Sequence, residues 1–294
     1  MSSFQWTFDA IGTSWVIDIQ NRIPSSKKQR LFTTVTKHIK TFEDNYSRFL
    51  PNSFVSQLAN KPGNYPISEE FESLLSLYHL LYKRTNGAFT PLIGSVLEDA
   101  GYDSSYSFKK KTLKKPPAWD DVISYTNAQI TIKKPGYILD FGAAGKGYLV
   151  DSIGLILEKN KISSYCIDAS GDIRYRQKDR LAIRVGLENP LNTKQVIGVV
   201  NLSNQSICGS SGNRRTWGEY HHIINPLTLT SPTNILSTWV IADTAVISDA
   251  LATALFFIKP EIFLKDFSFH YAILYKDYSI VSSWDFPGEF YYTK

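Results

Sequence analysis

Cysteine is scarce in this chain, with two residues, Cys166 and Cys208, among 294. Neither belongs to a Cys-x-x-Cys pair, which argues against a structural zinc site or a disulfide framework and suits a reducing compartment. Long apolar runs are missing as well. No segment approaches the roughly 18 uninterrupted apolar residues of a membrane span, and the run from Ala250 to Ile258 is broken by Thr253. The opening MSSFQWTFDAIGTSW has no basic start, no apolar stretch and no small-residue cleavage site. The sequence therefore predicts neither signal peptide nor lipobox, and no integral membrane segment, and it points to the cytoplasm. A strong charge bias is absent too. The net charge is +5, and much of the excess lies in Lys109, Lys110, Lys111, Lys114 and Lys115, ahead of Pro116 and Pro117. That run reads as a solvated loop, so no nucleic-acid partner is expected. Repeats at solenoid periods are lacking.

Hydrophobic residues make up 43% of the chain, enough at this length for a sizeable core. The pattern predicts strands at Thr13–Ile19, Gln129–Ile132, Tyr137–Phe141, Ser164–Asp168, Leu181–Leu187, Gln195–Leu202, Tyr271–Tyr275 and Ser279–Ser283. Leu31, Val35, Ile39 and Phe42 mark a helix opened by Ser25 or Ser26. A second helix is predicted at Ser68–Thr85, with an acidic first turn and Asn86-Gly87 behind it. Two more are predicted at Tyr148–Asn160 and Ala245–Ile258. Residues Asp103–Asp121 are rich in Ser, Lys and Pro and read as a surface loop. No clean linker divides the chain. The reading is α+β: one compact domain, 1–294, with mixed sheets flanked by helices.

Three segments carry chemistry. In Leu139-Asp140-Phe141-Gly142-Ala143-Ala144-Gly145-Lys146-Gly147, small residues lead from a strand into a helix that contains Asp151. Small side chains let a ligand approach the backbone, and free N–H groups beside a lysine favour phosphate. A tight turn with a surface lysine would look the same, and the spacing is not that of a Walker A loop. Cys208-Gly209-Ser210-Ser211-Gly212 is a second such turn, and His221-His222-Ile223-Ile224-Asn225-Pro226 follows it. A histidine there is either a general base or a hydrogen-bonded structural group. In Ser248-Asp249-Ala250-Leu251-Ala252-Thr253-Ala254, Asp249 and Thr253 share one helix face. Their oxygens suit magnesium, though a helix-start residue and a packed hydroxyl fit the same positions.

In this order the segments resemble the FAD:protein FMN transferase family, the ApbE-type flavin transferases. Ile11-Gly12-Thr13 stands where the family opens with Met-Gly-Thr, and Ser47-Arg48-Phe49 with Ser53 to Asn60 matches its early segment. Gly87-Ala88-Phe89-Thr90-Pro91 resembles its Gly-Ala-Phe-Asp-Pro, Asp140 to Asp151 its Lys-Gly-x-x-x-Asp signature, and Ser170-Gly171-Asp172 its Gly-Gly-Asp. The resemblance implies an elongated FAD cleft, with FAD as substrate. It implies Mg2+ held by Asp249, Thr253 and the Ala143 carbonyl. Ile11, Phe49, Ala88, Phe89, Thr90, Asp140, Lys146 and Ile224 would contact FAD, and His222 would be the base. The implied reaction moves FMN to a threonine or serine hydroxyl of an acceptor protein and releases AMP. An FAD pyrophosphatase and a flavin-binding module without catalysis are the alternatives. Thr90 and Asn225 replace family aspartates, and Phe49 replaces a frequent tyrosine.

Overall fold

The computed structural model describes residues 4–291. Strands β1 (Phe4–Ala10) and β2 (Thr13–Ile19) form an opening hairpin. Helices α1 (Ser25–Tyr46) and α2 (Phe54–Leu58), strand β3 (Gly63–Pro66), and helices α3 (Glu69–Arg84), α4 (Gly94–Asp99) and α5 (Trp119–Val122) follow. Next come β4 (Ile123–Thr126), β5 (Gln129–Ile132) and α6 (Gly145–Lys159). A run of strands follows: β6 (Tyr165–Ala169), β7 (Asp172–Arg176), β8 (Ile183–Asn189), β9 (Asn192–Leu202), β10 (Ser206–Ser211), β11 (Thr216–Trp217), β12 (Tyr220–His221) and β13 (Ile235–Ala242). The chain closes with α7 (Ala245–Ala254), β14 (His270–Tyr275), β15 (Ile280–Ser282) and β16 (Gly288–Phe290).

The main sheet has eight strands in the order β1-β2-β6-β7-β10-β13-β14-β15, and β16-β9-β8 and β3-β5-β4 form smaller sheets. Every strand pairing among the described residues is antiparallel. The α+β class is as expected, and the sheets within it are antiparallel, not mixed in strand direction. One face of the main sheet is covered by helices. Trp15, Ile17 and Ile19 alternate along β2 into that core, where they meet the stripe Leu31, Val35, Ile39 and Phe42 of α1. The opposite face packs on the β8–β9 sheet through Leu187, Val200, Leu202, Ile207, Trp239 and Ile241. Strand β13 is buried on both faces, so Ile-Leu-Ser-Thr-Trp-Val-Ile-Ala lacks the alternation by which half-buried strands are recognised.

Several boundaries differ from the sequence reading. Tyr137–Phe141 is extended but unpaired in any sheet: Ile138 N–H donates to Ser95 Oγ and Asp140 N–H to the Pro91 carbonyl. Pro24, not a serine, precedes α1, and no side chain caps that helix. Helix α6 begins at Gly145, ahead of Tyr148, because its first turn is made of the small residues read as loop. Helix α7 stops at Ala254, short of Ile258. Ser68 does cap α3, accepting from Phe71 N–H at 3.2 Å. Among the described residues no helix is long and apolar enough to cross a membrane.

Candidate active site

A cleft of about 1000 Å3 is lined by the first turn of α6, one face of α7, strands β8 and β10, and the segments around Ile11 and Phe89. It is at the upper end of small-molecule pocket sizes. All residues expected to touch FAD, metal or the transferred proton line it: Ile11, Phe49, Ala88, Phe89, Thr90, Asp140, Ala143, Lys146, His222, Ile224, Asp249 and Thr253. Positions from both ends of the sequence are thus brought to one surface.

The lysine–glycine turn makes its contribution through close approach. A Cβ on Gly147 would sit 2.3 Å from the Ala245 carbonyl oxygen and 2.7 Å from Asp249 Cβ, so only glycine lets α6 meet α7 here. The Gly147 N–H then donates to Asp249 Oδ2 at 2.8 Å. On the same face of α7, Thr253 Oγ1 lies 3.3 Å from Ser210 Oγ at the end of β10. Helix α7 is capped from outside. Asp151 of α6 accepts from Ala245 N–H at 3.0 Å and from Val246 N–H at 2.8 Å, and Arg174 donates to it at 2.6 Å. Asp151 is thus the helix cap of the neighbour that carries Asp249, while Thr244, at the cap position itself, makes no such bond.

Lys146 lies between two acids. Its Nζ forms an ion pair with Asp172 Oδ2 at 2.8 Å, and it donates to the Ala169 carbonyl at 3.2 Å. Burial opposes its charge, but Asp172 and Asp249 outweigh that and hold its pKa above the ordinary value. Asp172 is 1% and Asp249 6% exposed. Burial first, then mutual repulsion, pushes Asp249 well above the usual carboxylate range, and burial raises Asp172 despite Lys146. Two buried carboxyls facing one lysine leave room for further positive charge. The adjacent donors, a carboxylate, a hydroxyl and the Ala143 carbonyl, are hard oxygens of the kind magnesium prefers. The set fits that ion. Among the described residues no group of three or more His, Cys, Asp or Glu side chains is arranged to hold a metal, so carbonyl and hydroxyl oxygens would complete the shell.

The two adjacent histidines differ. His221 is buried and fully engaged: Nε2 meets the Pro232 carbonyl at 2.9 Å and Nδ1 accepts from Ile223 N–H at 3.3 Å. His222 lines the cleft, and among the described residues its buried Nδ1 has no partner. Burial, and then the charge of Arg215, push its pKa down to about 3, so the ring is neutral at ordinary pH. The local fold explains the departures. Thr90 Oγ1 accepts from Leu92 N–H at 3.2 Å and Asn225 Oδ1 from Leu227 N–H at 2.8 Å, turn-capping bonds that an aspartate would also make. Phe49 lies under the Arg48 guanidinium, 4.2 Å from its ring centre, and stacks on Tyr106. Asp140 accepts from Arg48 Nε at 2.5 Å and from Gly142 N–H at 2.7 Å, so its carboxylate is held by the protein at the cleft wall.

Some cleft residues were not singled out from the sequence. Arg215, whose guanidinium donates to Tyr102 Oη at 2.5 Å, carries no motif. Tyr78 looks like one more apolar position of α3. Asp172 stood in a recognised motif, but only its pairing with Lys146 shows what it does.

The family model described as the ApbE family matches residues 11–268. The chain belongs to the ApbE family. It is 26% identical over 275 residues to the FAD:protein FMN transferase of Treponema pallidum, covering 84% of this chain and 76% of that protein. It is 29% identical over 230 residues to the enzyme of the same name from Haemophilus influenzae, covering 71% and 64%. The match to the Rhodobacter capsulatus protein of that name, at 23% identity, spans 85% of this chain but 50% of that one. In three dimensions the chain superimposes on the crystal structure of the ApbE protein of Thermotoga maritima with a TM-score of 0.85 at 22% identity, covering 98% and 100% of the two chains. The flavin transferase ApbE of Vibrio cholerae gives 0.80 at 18% identity, with 96% of each covered. At these identities the superpositions establish a shared fold. Within the ApbE family, the arrangement of Lys146, Asp249 and His222 about one cleft acquires a specific reading.

Proposed function

We propose that the protein is an FAD:protein FMN transferase that acts through this cleft, with residues 1–294 working as one domain. The observation that carries the reading is the convergence of Lys146, Asp249, Thr253, Ala143 and His222 on a cavity large enough for a dinucleotide. The relatives that bear this enzyme name support it.

FAD lies along the cleft, with apolar contact from Ile11, Ala88, Phe89 and Ile224 and ring contact from Phe49. Asp249, Thr253 and the Ala143 carbonyl would hold Mg2+. When bound, that ion withdraws charge from the phosphoryl oxygens and orients the diphosphate. Lys146, kept protonated by Asp172 and Asp249, places a second positive charge on the same oxygens. A hydroxyl of the acceptor protein enters beside His222, whose neutral ring accepts its proton. The hydroxyl oxygen bonds to the FMN phosphorus as the diphosphate P–O bond breaks, and AMP departs. An anionic diphosphate beside His222 opposes the influence of Arg215 and brings the ring closer to the range useful for a base. Cys166 and Cys208 are unpaired, which supports a cytoplasmic setting for the reaction.

The test is to incubate the protein with FAD, Mg2+ and candidate acceptor proteins, with and without chelator. AMP release together with flavin fixed covalently to a protein is expected, and chelator abolishes both. AMP with only free FMN, whatever acceptor is offered, would make the protein a pyrophosphatase. Bound FAD without AMP would leave a binding module.

A further inference from the structure

Tyr78 lies on α3, outside every segment that the sequence marks as functional, yet it lines the cleft. Its side chain is 1% exposed, and among the described residues its hydroxyl makes no well-formed hydrogen bond, with the backbone N–H groups of Ala143 and Ala144 close by. The ring is firmly placed, 4.9 Å from the Phe89 ring and edge-on to Phe141 at 5.1 Å. A buried hydroxyl without a partner is destabilising, and phenylalanine would fill the same space without that cost. The groups around the hydroxyl are those of the proposed reaction centre: the carboxylates of Asp140 and Asp249 and the backbone of Ala143 and Ala144. The Ala143 and Ala144 N–H groups can only donate, and a phenol keeps its proton at ordinary pH, so the hydroxyl's own hydrogen is left without an acceptor.

We infer that Tyr78 is a ligand-binding residue whose hydroxyl donates a hydrogen bond to an oxygen of the cation–phosphate group held beside Ala143 and Asp249. This rests on the reading of the cleft as the FAD and Mg2+ site. Two oxygens answer the description, a phosphate oxygen of FAD and a water carried by the cation. Either would complete a donor that the folded protein leaves unmatched.

The experiment is Tyr78→Phe, which removes one oxygen and keeps the ring. Thermal unfolding is followed without ligand, with Mg2+ alone, with FAD alone and with both. The unliganded variant is expected to unfold at the same temperature as wild type or a higher one, because an unmatched polar atom has gone. Its affinity for the FAD–Mg2+ pair falls about tenfold, the weight of one hydrogen bond to a charged group. A loss seen with FAD alone assigns the phosphate oxygen, and a loss seen with Mg2+ alone assigns the bound water. Wild-type affinities for both ligands would overturn the inference. So would an earlier unfolding of the unliganded variant with ligand binding unchanged, which would make the hydroxyl structural. If the wild-type protein binds neither FAD nor Mg2+, the reading of the cleft fails first and this inference with it.

Discussion

Asp151 accepts a hydrogen bond from the backbone N–H of Val246 at 2.8 Å, and through it one helix caps another. The same carboxylate takes Ala245 N–H and the Arg174 guanidinium, so it is fully matched. Replacing it with alanine removes one of the two carboxylates that hold Arg174, Glu158 remaining at 3.1 Å, and uncaps the helix that carries Asp249 and Thr253. Asp151→Ala is expected to lose about 2–4 kcal/mol of stability, the weight of a helix cap and a charge-assisted hydrogen bond, and to weaken Mg2+ binding at a distance. Urea unfolding checks the first part and Mg2+ titration the second. A stable variant with wild-type Mg2+ affinity would show that the cap is not what positions α7.

Gly147→Ala drives a methyl group into the Ala245 carbonyl, 2.3 Å from where its carbon would sit. Both neighbours there are backbone or short side chain and have little room to yield. The helices must separate, with a loss of about 1–3 kcal/mol or more and a longer Gly147–Asp249 contact. Unfolding midpoints and AMP release should fall together in this variant.

Asp249→Asn separates metal binding from folding. Magnesium-dependent AMP release should drop by about 100-fold or more, a loss on the scale of removing a main electrostatic stabiliser. The unfolding midpoint should hold or rise, because a carboxyl forced into burial next to Asp172 has been neutralised. Wild-type turnover in this variant would remove Asp249 from the metal site.

Ile11 has φ 46° in the hairpin turn between β1 and β2, a left-handed conformation that a β-branched residue adopts at a cost of about 1–2 kcal/mol. It also lines the cleft. Asparagine tolerates that conformation, so Ile11→Asn should raise the unfolding temperature while weakening FAD binding, since it removes apolar contact. Calorimetry and flavin titration on one preparation test both. A fall in stability would mean that the buried part of Ile11 outweighs the strain.

His222 gives the protein a pH dependence. Its native pKa is down to about 3 against an ordinary 6.5, so between those values the unfolded chain binds a proton that the folded one does not. The His222 contribution to stability is therefore fully present above pH 6.5 and is lost as the pH drops toward 3, by up to about 1.4 kcal/mol per pH unit, while the raised carboxyls of Asp249 and Asp172 act in the opposite sense. His222→Asn should flatten that part of the profile in the ligand-free protein. An unchanged slope would show that the ring is not held neutral by burial.

Much of this was legible in the sequence, and the gaps have physical causes. The amphipathic stripes of α1 and α3 and the small-residue entry to α6 follow from local pattern. The close approach of α6 and α7 does not: it depends on Gly147 meeting a carbonyl about a hundred positions away. Strand β13 escaped because burial on both faces removes its alternation. Tyr137–Phe141 has strand-like residues, but its polar atoms are taken by Ser95 and Pro91, so it joins no sheet. At the site, residue types marked Lys146, Asp249 and His222. Tyr78 and Arg215 had no such mark, because a tyrosine among leucines and an arginine in a turn are ordinary until their neighbours are known.

The cleft has two walls that answer to different cores. The corner around Lys146 and Asp249 is anchored in the helix-covered core, while β8, with Ile183 to Glu188 facing the ligand space, packs in a separate apolar cluster with β9. Changes along β8 can therefore alter the shape offered to the nucleotide without passing through the residues that set the chemistry. A library of β8 variants, screened for binding of altered flavin nucleotides, would measure how far that wall can be reshaped while the Lys146 and Asp249 corner stays as it is.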